Sequence, residues 1–158
     1  MLCEADKRRA EAVSVAVSLT GTPYLWGSKY PAKGGLDCSG LVTWCLSSVN
    51  AIPAQALPDA TKLKRGAYFR TFWNADRLFR ELEPTDVPQA GDVACYGKPT
   101  HCSHVMLCTG VGTGVIGASG GDQTTTSPEE AKRRGAAVKP YPSHLYRKDF
   151  IGFRKGPF

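Results

Sequence analysis

The stretch Gly35-Leu36-Asp37-Cys38-Ser39-Gly40-Leu41-Val42 fixes the start of a helix and puts a cysteine in its first turn. Asp37 is a strong N-cap residue. Behind it, Leu41, Val42, Cys45, Leu46 and Val49 are apolar at helical spacing, which predicts a helix over Cys38–Val49. The unpaired N–H groups and the dipole of a first turn favour a thiolate over a thiol. The thiolate is the reactive form of cysteine, so the most activatable side chain sits where a nucleophile would be built.

A cysteine alone is most often a small buried hydrophobe. A nucleophilic one needs a base, usually a histidine brought close by the fold. The chain has three: His101, His104 and His144. His104 opens the apolar run Val105-Met106-Leu107-Cys108, which reads as a strand after the turn-rich Gly97-Lys98-Pro99-Thr100. A histidine at the mouth of a strand can reach the N-terminus of a helix that packs across it.

Four blocks in order, Gly21-Thr22-Pro23-Tyr24-Leu25-Trp26-Gly27, Asp37-Cys38-Ser39-Gly40-Leu41-Val42, Ala90-Gly91-Asp92-Val93 and Ser103-His104-Val105, make the chain resemble the NlpC/P60 family of papain-like cysteine peptidases from about Ala10 to Ile116. The resemblance implies a peptidoglycan hydrolase that cuts a peptide or amide bond of the stem peptide. By position it assigns Cys38 as nucleophile and His104 as base. It makes Tyr24 a cleft residue whose phenol can donate to an oxyanion beside the Cys38 N–H, and Asp37 and Ser39 substrate-binding residues. Each has a plainer role available: Asp37 as helix cap, Ser39 as a partner for first-turn N–H groups, Tyr24 and Trp26 as aromatic wall.

The chain departs from the family pattern at the third residue, which orients the histidine and commonly stands on the next strand. That strand reads Gly114-Val115-Ile116-Gly117-Ala118-Ser119, and the usual position aligns with Gly117, which has no side chain. Ser119 shares its face by two-residue alternation, and Asp122 and Gln123 follow in the loop. Asp122 is the strongest of these candidates, because a carboxylate stabilises an imidazolium. Ser119, Gln123, a backbone carbonyl or a water remain open as alternatives.

At 158 residues and 42% hydrophobic content, the chain can bury a core as one domain over 1–158 without staples. No stretch approaches the roughly 18 apolar residues of a membrane span. The charged start, Met1 to Arg9, lacks the apolar region of a signal peptide. A wall hydrolase of this kind would reach its substrate from a phage tail or through a secretion system. The net charge of +6 suits a polyanionic partner. Its basic clusters are scattered and no nucleic-acid motif accompanies them, so wall polymers are expected and nucleic acid is not.

Cys95, Cys102, His104 and Cys108 crowd one segment, yet their spacing is not that of a zinc knuckle, so no metal or other cofactor is expected. Cys45 and Cys108 read as core packing and Cys3 as part of a mobile terminus. The cysteines are expected to be free thiols.

Elsewhere, a helix is expected over Ala5–Ser18 with Ala10, Val13 and Val17 inward. An amphipathic segment over Tyr68–Leu82, breaks at Pro53 and Pro58, and a helix opening at Ser127-Pro128 are also expected. Strands are expected over Val93–Tyr96, His104–Thr109, Gly114–Ala118, Ala137–Lys139 and Phe150–Arg154. This is the α+β class, with the papain-like arrangement of a catalytic helix packed on a central antiparallel β-sheet. The expected protein is a monomeric hydrolase acting on peptidoglycan stem peptides through a thioester. An acyltransferase or transamidase on the same frame and a non-catalytic wall-binding module are the alternatives.

Overall fold

A computed structural model of the protein describes residues 1–52 and 73–158. Pro53, Pro58 and the first part of the expected amphipathic segment, with Phe69 and Phe72, lie outside the described residues.

Helix α1 runs over Glu4–Ser18 and α2 over Cys38–Ser48, with a 3-10 turn at Pro31–Lys33 between them. Helix α3, Ala75–Glu81, is capped by Asn74. The strands follow: β1 Pro84–Thr85, β2 Val93–Lys98, β3 His101–Cys108 and β4 Val115–Ser119. Helix α4, Pro128–Arg134, leads to β5, Ala137–Tyr141. A 3-10 turn at His144–Tyr146 and β6, Phe150–Arg154, close the chain. The strands form one antiparallel sheet in the order β1-β6-β2-β3-β4-β5. The fold is therefore the expected mixture of helices and antiparallel sheet. Among the described residues no helix is long and apolar enough to cross a membrane.

Side-chain alternation sends Val93 and Cys95 of β2, Val105 and Leu107 of β3, and Ile116 and Ala118 of β4 to one face. There they meet Leu41, Val42, Cys45 and Leu46 of α2. The other face carries Ala94, Tyr96, Met106, Cys108 and Val115, covered by Tyr141, Tyr146, Phe150 and Phe153. Cys45 and Cys108 are core residues as expected. All six cysteines are free thiols.

Three local expectations are corrected. Helix α1 turns Ala12 and Ala16 inward, with Val13 packed against the core as expected, and leaves Ala10 and Val17 exposed. Two alanines let the α1 backbone come close to the core, and that close approach sets the phase of the helix. Cys3 is no loose terminus: its sulfur accepts the Asp6 N–H and caps α1. Strand β3 begins at His101, because Lys98 pairs with His101 and Gly97 with Cys102 across a bulged hairpin. His104 therefore stands inside the strand.

The Ala90-Gly91-Asp92-Val93 block is structural. The buried Asp92 carboxylate takes Arg9 of α1 at 2.7 Å, the Gln89 N–H and the Gly156 N–H. One side chain thus joins α1, the start of β2 and the end of the chain.

Candidate active site

The Asp37 carboxylate accepts the Gly40 N–H at 2.7 Å, so α2 starts at Cys38 as the N-cap rule requires. Gly40 is packed against Ser28 and Lys29, where a Cβ would run into the Ser28 carbonyl oxygen. This close approach seats the first turn of α2 on the loop that carries Tyr24 and Trp26. A cleft of about 660 Å³ opens there. Cys38, His104, Tyr24, Asp37, Ser39, Asp122 and Gln123 all line it, so one site contains every side chain singled out for function except Ser119.

Within the cleft the partners differ from expectation. The backbone N–H groups of Val105, next in sequence to His104, and of Ser39 act on the Cys38 sulfur in favour of its thiolate. The thiol and the imidazole face one cleft without a direct hydrogen bond between them. Catalytic bonds are often long in unliganded sites and tighten on substrate.

The helix start does not hold the thiol as a thiolate. Burial pushes the Cys38 thiol up to about 11; Asp37 adds to this, while Lys29 and the two N–H groups oppose it. Burial also drives the His104 imidazole down to about 3, with Arg147 acting in the same sense and Asp149 against it. Near neutral pH the resting pair is thiol and neutral imidazole, because removing either charge from water outweighs the local dipoles.

Asp122 does not meet His104. Its carboxylate accepts the Thr124 N–H and hydroxyl and pairs with Arg134 at 3.0 Å. Thr124 and Arg134 hold it below the usual carboxylate range. An Asx turn is the nearest partner a loop aspartate can find, and it wins over a distant ring. Ser119 bonds the Tyr141 hydroxyl at 2.8 Å, and Gln123 is exposed. The imidazole's partner is Tyr146, whose hydroxyl lies 2.7 Å from Nε2.

Asp37 and Ser39 belong to a buried network. Lys29 Nζ lies 2.7 and 2.9 Å from the two Asp37 oxygens and also donates to Ser39 Oγ. Tyr24 is buried in the cleft wall, and burial together with Cys38 and Asp37 raises its phenol far above its ordinary value, so it keeps its proton. Trp26 is 42% exposed at the rim.

Sequence reasoning misses Lys29 and Arg147, which line the cleft, and Tyr146, which bonds His104. Lys29 follows the Tyr24–Gly27 block by two positions, but nothing local marks a lysine as buried. Tyr146 and Arg147 stand in an aromatic, basic segment more than 40 positions beyond His104, and no spacing ties them to it.

Among the described residues no group of His, Cys, Asp and Glu is placed to hold a metal ion. Cys95 and Cys102 enter the core under α2, whereas Cys108 enters the aromatic cluster on the other face of the sheet.

The pattern of the NlpC/P60 family matches residues 21–149. A Mycobacterium tuberculosis protein named a probable endopeptidase is 44% identical over 52 residues, which are 31% of this chain and 13% of that longer protein. The NlpC/P60 domain of the peptidoglycan hydrolase SagA superposes with a TM-score of 0.58 at 23% identity, covering 93% of this chain and 97% of that one. The peptidoglycan hydrolase RipB of M. tuberculosis gives 0.60 at 23% identity over 99% and 68%. NlpC1 of Trichomonas vaginalis gives 0.65 at 18% identity over 99% and 46%. These structures share the fold, and the family match takes in the cysteine block, the histidine block and Tyr146 alike: the chain belongs to the NlpC/P60 family.

Proposed function

We propose that the protein is a cysteine peptidase that cleaves an amide bond in the stem peptide of peptidoglycan. The observation that carries this reading is the meeting of Cys38, at the N-terminus of α2, with His104 of β3 in one cleft of a family member. Names of similar proteins, a probable endopeptidase and two peptidoglycan hydrolases, support the substrate class.

Because both groups rest neutral, the reaction begins as general-base catalysis. The free ring nitrogen of His104 takes the thiol proton as sulfur attacks the scissile carbonyl carbon. Negative charge gathers on the carbonyl oxygen, where the Cys38 N–H and the protonated Tyr24 phenol donate. The C–N bond then breaks, and the imidazolium gives its proton to the departing amine. Water, deprotonated by the same imidazole, hydrolyses the thioester and restores the thiol. Desolvation of the cleft by substrate strengthens each of these interactions.

The test is turbidity loss and muropeptide mass analysis of purified peptidoglycan, with the wild type beside Cys38→Ala and His104→Ala. Fragment release by the wild type alone supports the reading, and the fragment masses name the bond. Ligated products with added amine would mark a transamidase. Inert wild type on several wall chemotypes would refute hydrolysis.

A further inference from the structure

We propose that Tyr146 is the positioning residue for His104, a role filled from the 3-10 turn after β5 and by no side chain on β4. The inference rests on the hydrolase reading for its catalytic meaning, and on geometry for the rest. The Tyr146 hydroxyl lies 2.7 Å from His104 Nε2. Carrying the β3–β4 register on from Leu107↔Ile116 puts Gly117 opposite Met106. A Cβ at Gly117 would run into Met106 Sδ, so thioether fills the space a β4 side chain would need. The other candidates are engaged elsewhere: Ser119 with Tyr141, Asp122 with Thr124 and Arg134.

Tyr146 is held as a positioning group must be. Its ring stacks on Tyr141 at 4.0 Å and 15°, and meets Tyr96 edge-on at 5.5 Å. The positive charge of Arg147 acts on the Tyr146 phenol, and Asp149 grips that guanidinium at 2.9 and 2.8 Å. In this arrangement the phenol oxygen accepts the Nε2–H of His104. That fixes the tautomer whose Nδ1 lone pair is free for the thiol proton. As Cys38 gives up its proton and the ring becomes imidazolium, the Nε2–H···O bond becomes charge-assisted and strengthens. The groups around the ring are Tyr96 from β2 and Tyr146, Arg147 and Asp149 from the closing segment, and Cys38 of α2 faces the same cleft. Asp76 of α3 reaches β3 only at the Cys102 N–H.

Three measurements test this. In the wild type, long-range ¹⁵N–¹H NMR should find the His104 proton on Nε2; a proton on Nδ1 overturns the proposal without any variant. Tyr146→Phe keeps the ring and its stack but removes the hydroxyl. Its kcat should fall about 10- to 100-fold with KM within about twofold, a part of the general-base contribution. Iodoacetamide alkylation of Cys38, followed by peptide mass analysis across pH, needs no substrate. Its rate below pH 8 should fall in Tyr146→Phe and, further, in His104→Ala. Unchanged kcat and an unchanged alkylation profile in Tyr146→Phe would overturn the proposal. So would a larger loss in Asp122→Asn. If the wild type cleaves no wall, hydrolysis fails, yet the alkylation and NMR results still decide whether Tyr146 positions His104.

Discussion

Lys29 Nζ sits 2.7 Å from Asp37 Oδ1, and both side chains are closed to solvent, at 2% and 7% exposure. The same carboxylate accepts N–H groups from Gly40 and Gly27. Its lone pairs are thus committed to the protein, and the residue beside the nucleophile acts as a structural node. A buried pair of this kind is poor evidence of net stabilisation, but removing one partner strands the other charge.

Lys29→Met is accordingly expected to lose about 3–5 kcal/mol, the range for breaking a buried ion pair from one side. Urea denaturation measures it. Lys29→Met combined with Asp37→Asn should lose less than the sum of the two single changes, since no charge is left unpaired. Additive losses would show that the two residues are not coupled.

Gly40→Ala runs against helix propensity. Alanine is the better helix former by about 1 kcal/mol, so an open site would gain from the change. Here the new methyl meets the Ser28 carbonyl and the Lys29 backbone, neither of which can step aside. A net loss of about 2–3 kcal/mol is expected, as for overpacking, together with reduced activity because the first turn of α2 is displaced. A stabilised variant in thermal melts would contradict this packing.

Buried neutral His104 makes stability depend on pH. Its folded value, about 3, lies below the ordinary 6.5, so between these the unfolded chain binds more protons than the folded one. Its contribution is complete above pH 6.5 and is lost as pH falls toward 3. Asp149 is held below the ordinary carboxylate range, and the window from about pH 6.5 to 4.5 lies above ordinary carboxylate values. The melting temperature of the wild type should fall across it. The slope should flatten in His104→Gln, which keeps a polar side chain but does not titrate.

Thiol reactivity should separate the cysteines. Cys3 is exposed, whereas burial pushes Cys45 and Cys108 up to about 12. At pH 8 a disulfide reagent should label the exposed Cys3 first and Cys38 more slowly. Cys45 and Cys108 should react only on unfolding. Rapid native labelling of either would place it outside the core.

Parts of the molecule governed by near neighbours are legible in the order of residues alone. Asp37 capping Gly40 and Ser127 capping Glu130 are three-residue relationships, and Gly135 ends α4 in the left-handed conformation at φ 65°. Strands β2 to β4 stand out as apolar runs. The inward face of α1 is not legible in this way: valine is more apolar than alanine, whereas close helix packing selects the smaller side chain.

Residue order alone establishes that a cysteine opens a buried helix, that a histidine accompanies a core strand, and that helices and an antiparallel sheet frame them. These follow from capping and periodicity, which act within a few residues. What surrounds that pair is set by long-range packing. Lys29 neutralises Asp37, Met106 occupies the space beside Gly117, and Tyr146 reaches His104 from 42 residues away. Hydrogen-bond partners inside a cleft are chosen by which polar atoms the fold brings within about 3 Å, and that selection leaves no periodic trace along the chain.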